Sequence, residues 1–356
     1  MDKELPIGVK RKIIFLEWVR GSAAAMVAVS HLLAGIPIFD HFIRNYIDPG
    51  RVGVVAFFVV SGYIIPLSFQ NQSVRTFMIR RLTRLYPVYI VALTAYLLIV
   101  FRGAEWSLQW GFELFANYTM LQDLIGFAAL LGPAWTLSIE WVFYGQQIAA
   151  KWAKRLEQGW VLGFFWLFVY LVFSIAERVL NRDLPTSLPM LLSVSCLGHA
   201  WALAEGKRIA NKWFFALLGA SAVIVPAGAY IGNDFGRLWP PLDYSLSYLG
   251  GLVWFGIAFA FRSREGLAPL VWLGKISFSL YLIHPVVTVS LDAIMDVPFW
   301  LFVIVNLAIL PAVAWLTFRF IETPFKDLGR HWTPTEHRSP PGTPSRGLPP
   351  AEIPAK

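Results

Sequence analysis

Long apolar stretches constrain the fold of this chain more than any other feature. A helix needs about 20 mostly apolar residues to cross the hydrocarbon core of a bilayer. Ten stretches qualify, which we number as spans one to ten in chain order: 13–36, 53–69, 85–101, 124–150, 160–176, 189–204, 213–231, 245–261, 269–291 and 299–321. The sequence therefore predicts an all-α, polytopic membrane protein of about ten transmembrane helices.

The composition agrees with lipid as the main solvent. Hydrophobic residues make up 57% of the chain and charged residues 15%, whereas a soluble domain carries about 25% charged residues. We attribute the net charge of +8 to positive loops and expect no nucleic-acid partner. The single cysteine, Cys196, lies in an apolar stretch, which excludes a disulfide framework and a cysteine-built metal site. We expect no metal cofactor.

Loop charges predict the orientation. Alternate loops, counted from the N-terminal segment, hold 16 Lys and Arg residues, and the loops on the other side hold six. Because cytoplasmic loops carry the positive excess, we expect a plasma (inner) membrane protein with both termini in the cytoplasm. Residues 333–356 are rich in Pro, Ser and Thr, which predicts a disordered cytoplasmic tail after a transmembrane domain at 1–332.

Span one contains two polar residues, Arg20 and His31, that belong together. Their separation of 11 residues is about 1100° of helix, only about 20° from three full turns, so both lie on one face about 16 Å apart. Arg20 would lie towards the cytoplasm and His31 towards the outside. A charged residue within a span usually faces a cavity or a partner. Alternatively, Arg20 snorkels to the interface and His31 is a structural histidine.

Three arginines open span three within FMIRRLTRLYP (77–87). Arg80 and Arg81 each lie one helical turn from Arg84. Clustered guanidiniums suit phosphate recognition through bidentate hydrogen bonds. The alternative is an ordinary positive anchor at the cytoplasmic interface.

Spans four and nine add further polar residues. GPAWTLSIEWVFYG (132–145) contains Ser138, Glu140 and Tyr144, and SFSLYLIHPVV (277–287) contains His284. Glu140 falls at a depth similar to that of His31, so the two could meet. The alternative for Glu140 is a structural hydrogen bond between helices, and His284 could instead satisfy a carbonyl group that Pro285 frees.

Together these segments resemble the acyltransferase 3 family of membrane O-acyltransferases. The family's hallmark is an Arg, ten residues and a His, which Arg20 and His31 match. The resemblance covers residues 13–326 and rests on six segments in order: LEWVRGSAAAMVAVSH, FFVVSGYII, FMIRRLTRLYP, WTLSIEWVFY, SFSLYLIHP and IETPF. Glu17, Trp141 and Thr323 depart from the commoner family residues, Asp, Glu and Arg.

The resemblance implies transfer of an acetyl or short acyl group from cytoplasmic acyl-CoA to a hydroxyl of a saccharide acceptor, such as an exopolysaccharide or O-antigen unit, with or without a lipid carrier. His31 would act as general base or as a covalent acyl carrier, and Glu140 would orient it. Arg20 and the cluster of Arg80, Arg81 and Arg84 would hold the CoA. Ser138 and Tyr144 would supply further hydrogen bonds or serve a structural role, and His284 is a further possible site residue.

Two other classes of function remain open from the residues alone. A secondary transporter also carries polar residues at mid-membrane depth. However, no repeat between halves is visible, and transport gives no reason for three arginines beside one span. A sensor or scaffold protein would leave the paired Arg20 and His31 unexplained.

Overall fold

The computed structural model describes residues 7–103, 105, 107–232, 240–264 and 266–333, and every regular element among them is helical. This confirms the all-α prediction. The α-helices are α1 (Ile7–Leu33), α2 (Pro37–Asn45), α3 (Pro49–Phe69), α4 (Val74–Val100), α5 (Leu108–Tyr118), α6 (Trp135–Trp152), α7 (Gly159–Leu180), α8 (Ser187–Glu205), α9 (Asn211–Ile231), α10 (Pro241–Ala260), α11 (Ala268–Lys275), α12 (Ser277–Asp292), α13 (Phe299–Thr317) and α14 (Thr323–His331). Of the tail predicted at 333–356, only Thr333 lies within the described residues.

The prediction of about ten transmembrane helices is not confirmed by helix length and composition. Within the described residues, six helical segments are long and apolar enough to cross a bilayer, or seven if α11 and α12 count as one span: Pro49–Phe69, Val74–Val100, Leu156–Leu180, Ser187–Glu205, Asn211–Ile231 and Phe299–His331. Helices α1, α6 and α10 occupy the other predicted spans. Two of them carry the polar side chains on which the functional argument rests, Arg20 and His31 on α1 and Glu140 on α6.

Two predicted spans differ from the helices observed. The fourth span, predicted at 124–150, becomes helical only at Trp135, because Gly126 has a left-handed backbone and a 3₁₀ turn occupies Gly132–Ala134. The ninth span, predicted as continuous over 269–291, consists of α11 and α12, which meet at Ile276 with a bend of 79°. Pro285 lies inside α12 and does not cause this break.

Helix α8 occupies the centre of the bundle, and 83% of its most apolar 18-residue stretch is buried. Helix α3 packs directly against it. Small residues permit this close approach. A Cβ atom at Gly62 of α3 would lie 1.8 Å from the carbonyl oxygen of Ser195, and one at Gly198 of α8 would lie 2.2 Å from that of Val59. Close backbone approach through small residues is typical of helix packing in membranes.

The contact between α1 and α11 also depends on glycines, and it positions the site. A Cβ at Gly21 would lie 2.0 Å from the Leu270 carbonyl oxygen, and one at Gly274 would lie 2.0 Å from that of Glu17. Any larger residue at either position would push the two backbones apart. This contact places Arg20, the neighbour of Gly21, close to the point where α11 ends and α12 begins.

The peripheral helices expose large apolar side chains. In the segments that contain α4, α7, α9 and α13, only 22–33% of the most apolar 18-residue stretch is buried, whereas the share is 67% in α3. Their exposed residues include Phe165, Phe168, Val223 and Ile304. Such a surface is stable only in contact with lipid, so these helices form the outer ring of the bundle.

Candidate active site

Two cavities lie next to each other inside the bundle. The first, which we call the arginine cavity, has a volume of about 150 Å³, and its polar lining includes Arg20, Arg81, Arg84, Glu140, Ser277 and Tyr281. The second, the histidine cavity, has a volume of about 200 Å³ and is lined by residues that include His31, Asp48, Arg51, Trp135, Tyr244 and Tyr281. Val54 and Tyr281 belong to both linings, so they form the wall between the cavities.

The arginine cavity gathers guanidinium groups from two helices. Arg81 and Arg84 come from successive turns of α4, and Arg20 comes from α1. Arg20 Nη1 lies 3.3 Å from a carboxylate oxygen of Glu17, and Arg84 Nε lies 4.0 Å from one of Glu322. The planar fork of an arginine recognises phosphate by paired hydrogen bonds, so this cavity has the chemistry of an anion site.

Arg80 lies apart from the cavity. Its Nε donates to the Thr333 hydroxyl at 3.0 Å, and it is not among the residues that line the arginine cavity in the described structure. Adjacent helical residues point about 100° apart, and here Arg81 is the one of the two that lines the cavity. The structure thus brings together Arg20, Arg81 and Arg84, and it directs Arg80 towards the start of the predicted tail.

Glu140 lines the arginine cavity from α6 and accepts a hydrogen bond from the Tyr144 hydroxyl one turn further along. Tyr144 in turn supports the arginines, because the Arg81 guanidinium stacks over its ring at 5.3 Å. Ser138 serves a different region, since its hydroxyl contacts the Met120 carbonyl oxygen at 2.9 Å and Asp123 at 3.0 Å. Ser138 therefore connects α6 to the preceding loop.

His31 is paired with His284. The Nδ1 atom of His31 lies 2.8 Å from Nε2 of His284, and the two rings are nearly parallel, with an interplanar angle of 16°. The Nδ1 atom of His284 lies 2.8 Å from the Tyr281 carbonyl oxygen on its own helix. Helices α1 and α12, which are far apart in sequence, thus meet through two imidazoles.

This chain of hydrogen bonds assigns the protons. A carbonyl oxygen only accepts, so Nδ1 of His284 carries a proton and its Nε2 is an acceptor. The Nδ1 atom of His31 must then donate, which leaves the lone pair of His31 on Nε2. His31 therefore carries an unprotonated nitrogen, and it lines the histidine cavity. A base held in one tautomer is what proton abstraction from a hydroxyl requires.

The expected contact between His31 and Glu140 is not observed. Within the described part of the chain no hydrogen bond joins them: His31 bonds to His284, and Glu140 bonds to Tyr144. Similar depth in the bundle was the basis of the expectation, but the two residues line different cavities. His284, predicted only as a possible site residue, is the residue that orients His31.

Hydrogen bonds hold the other charged groups at and behind the wall of the histidine cavity in place. Asp48 accepts hydrogen bonds from the Ser30 hydroxyl and the Gly50 backbone, both at 2.8 Å. Arg51 Nη1 lies 2.8 Å from the carboxylate of Asp243, which is fully buried. The Asp48 carboxylate offers a hydrogen-bond acceptor to this cavity, and the rings of Tyr244 and Trp135 offer flat apolar surfaces. This combination suits a hydroxyl-rich ligand.

Sequence reasoning missed two residues of the site. Tyr281, the shared wall, was part of the SFSLYLIHP segment but received no role. Glu322 is 2% exposed and accepts a hydrogen bond from the Ser279 hydroxyl at 2.8 Å while lying beside Arg84. It sits in a π-helical turn, Phe318–Glu322, a feature frequent at functional sites. The sequence signal that could have identified Glu322 is its position as an acidic residue at the end of an apolar span.

Comparisons with known proteins show the family of this chain. Residues 13–319 match the family described as an acyltransferase domain, acyltransferase 3. The peptidoglycan O-acetyltransferase OatA of Listeria monocytogenes is 26% identical over 338 residues, which cover 81% of this chain and 53% of the relative. The O-acetyltransferase OatA of Staphylococcus aureus strain NCTC 8325 is 24% identical over 351 residues, which cover 83% and 55%.

A putative O-acetyltransferase of S. aureus strain COL is 26% identical over 363 residues, or 85% of this chain and 57% of the relative. The chain therefore spans about half the length of the curated relatives it matches. No solved structure matches it significantly. Because the family match covers most of the bundle and includes Arg20, His31, Glu140 and His284, the chain belongs to the acyltransferase 3 family.

Proposed function

We propose that this protein is a membrane O-acetyltransferase that moves an acetyl or short acyl group from cytoplasmic acyl-CoA to a hydroxyl of a saccharide acceptor. The observation that carries the proposal is the position of His31. His31, whose lone pair the hydrogen bonds assign to Nε2, lines one cavity, and a cavity lined by three arginines lies on the other side of the shared wall of Val54 and Tyr281.

The arginine cavity receives the donor. CoA is polyanionic, and Arg20, Arg81 and Arg84 provide positive charge where its phosphates would enter. Arg81 is held in place by its stacking on Tyr144, which Glu140 fixes. The acyl thioester then extends towards Tyr281, beside the histidine cavity. Arg80 contributes charge near the entrance without lining the cavity.

The histidine cavity receives the acceptor. His31 Nε2 removes the proton from the acceptor hydroxyl as the oxygen attacks the thioester carbonyl carbon. The carbon–sulfur bond breaks, the CoA thiolate leaves, and the proton on His31 passes to the sulfur. The products are the O-acyl ester and free CoA. Transfer through an acyl-His31 intermediate uses the same nitrogen as nucleophile, and the proposal covers both routes.

The topology completes the proposal. The loop charges support about ten membrane crossings with both termini in the cytoplasm of a plasma-membrane protein. The donor then enters from the end where α4 begins, and His31 faces the outer side. The acceptor is an exopolysaccharide or O-antigen unit, and the name of the Listeria relative adds peptidoglycan to the saccharides worth testing.

The test is transfer of radiolabelled acetyl groups from acetyl-CoA by membranes that contain the protein. We expect His31→Ala to lose transfer by a factor of about 10² or more, the contribution of a general base. His41→Ala is the matched control, because His41 is exposed on α2 and, among the described residues, its side chain hydrogen-bonds only to nearby Asn45. Full transfer by His31→Ala at normal abundance would refute the mechanism. The absence of acetyl transfer by the unaltered protein would refute the assignment of acetyl-CoA as the donor.

A further inference from the structure

Helix α12 begins inside the protein without a cap. Its axis turns by 79° from that of α11, and Ile276, Ser277 and Ser279 at the turn are buried. The first N–H groups of a helix have no partner within the helix. Among the described residues no side chain caps α12 at Ile276. A buried helix end in this condition needs a partner from elsewhere.

The side chain at this helix start also lacks a partner. The Ser277 hydroxyl is fully buried and has no hydrogen bond within the described structure, and Ser277 lines the arginine cavity. Ser279, two residues later, is satisfied by the Glu322 carboxylate at 2.8 Å. Buried hydroxyls are nearly always hydrogen-bonded, so Ser277 points to a group that occupies the cavity in the working protein.

The surroundings indicate the charge of that group. The N-terminus of a helix carries a partial positive charge, and Arg20, Arg81 and Arg84 line the same cavity. Glu140, the carboxylate on the lining, is engaged by the Tyr144 hydroxyl, whereas Glu17 and Glu322 lie beside Arg20 and Arg84 but are not among the lining residues in the described structure. Backbone N–H groups, a hydroxyl and guanidiniums together form a site for an oxyanion.

The position along α12 separates this site from the chemistry. Ser277 lies seven residues before His284, which is about 10 Å along the helix axis. Donors that stabilise a reacting oxyanion must lie about 3 Å from it, so the start of α12 cannot serve the thioester carbonyl beside His31. We propose that the N-terminus of α12 and Ser277 bind a phosphate group of the donor nucleotide. This inference rests on the proposed function and locates one end of the donor.

The test compares two probes, CoA and pantetheine, which lacks phosphate. Titration calorimetry of the purified protein in detergent should show CoA binding weakened roughly two- to tenfold by Ser277→Ala, the effect of one hydrogen bond. Pantetheine binding should not change. Ser290→Ala is the matched control on the same helix, because its hydroxyl donates to the Val286 carbonyl oxygen at 2.6 Å.

Ser277→Asp provides an independent variant. Its carboxylate would occupy the oxyanion position, so thermal stability should be kept or raised while CoA binding falls more than tenfold. Equal weakening of CoA and pantetheine in Ser277→Ala would assign the serine to the pantetheine arm and overturn the inference. Unchanged CoA affinity in both variants would also overturn it.

Inorganic pyrophosphate separates this inference from the proposed function. If the unaltered protein binds pyrophosphate but not CoA, and Ser277→Asp abolishes that binding, the oxyanion site stands and the donor assignment fails. If CoA binds with no difference between the unaltered protein and the Ser277 variants, the donor assignment stands and the oxyanion site fails. If neither probe binds, both fail.

Discussion

Replacing His284 tests the orientation of the catalytic base directly. His284→Leu removes the acceptor of the His31 Nδ1 proton and replaces the imidazole with an apolar side chain of similar size. His284→Gln keeps both hydrogen bonds, because its carbonyl oxygen accepts from His31 and its amide donates to the Tyr281 carbonyl oxygen. The pair of variants therefore separates loss of the hydrogen-bond relay from loss of the imidazole.

The structure sets the expected magnitude. Leucine leaves the His31 Nδ1–H without its partner at the buried position 284, and an unpaired donor in such surroundings costs about 1–3 kcal/mol. At about 1.4 kcal/mol per tenfold in rate, kcat should fall roughly 5- to 150-fold. Most of this range lies below the 10²–10⁴ that removal of a general base typically costs. The kcat of the glutamine variant should fall by less than about fivefold, the lower limit of the range for leucine.

The assay is steady-state acetyl transfer by purified enzyme at varied acetyl-CoA. His284 is not among the residues that line the arginine cavity in the described structure, so KM for acetyl-CoA should stay constant while kcat falls. Abundance in the membrane and thermal stability serve as folding controls. The reasoning is wrong if the leucine variant keeps half of the normal kcat. It is also wrong if glutamine is as damaging as leucine, or if the change appears in KM.

Three further predictions concern the donor site and the topology. Arg84→Ala should raise KM for acetyl-CoA roughly tenfold or more, as expected for a charged hydrogen bond, whereas Arg80→Ala should change it little; similar KM values in the two variants would contradict the assignment. Glu140→Gln and Tyr144→Phe share one hydrogen bond, so the double variant should be little worse in KM than either single variant, and independent losses would show that the bond does not act as a unit. A reporter fused at Glu113 should read external and one at the C-terminus cytoplasmic; a cytoplasmic signal at Glu113 would reverse the orientation.

Much of the site was visible in the sequence because of where polar residues stand. An arginine or histidine within an apolar span is costly, so Arg20, His31, Glu140 and His284 could be recognised one by one. The helical period also placed Arg20 and His31 on one face. The same period shows that Arg80 and Arg81 point in different directions, but it does not show which of them faces the bundle interior.

Partners across helices could not be predicted in this way. Similar depth favoured a contact between His31 and Glu140, yet depth fixes only one of three coordinates. The rotation of each helix about its axis decides the rest, and that rotation follows from packing. The glycine contacts between α1 and α11 bring those backbones together, and α12 then places His284 beside His31.

The sequence by itself determined the helical class, the lipid environment, the family resemblance and the identity of most polar residues at the site. These properties depend on composition and on spacing along one helix, which are local. The tertiary structure alone decided the bend at Ile276, the separation into two cavities and the tautomer of His31. Each of these depends on groups far apart in the chain, since a hydrogen bond between α1 and α12 exists only when the whole bundle has packed.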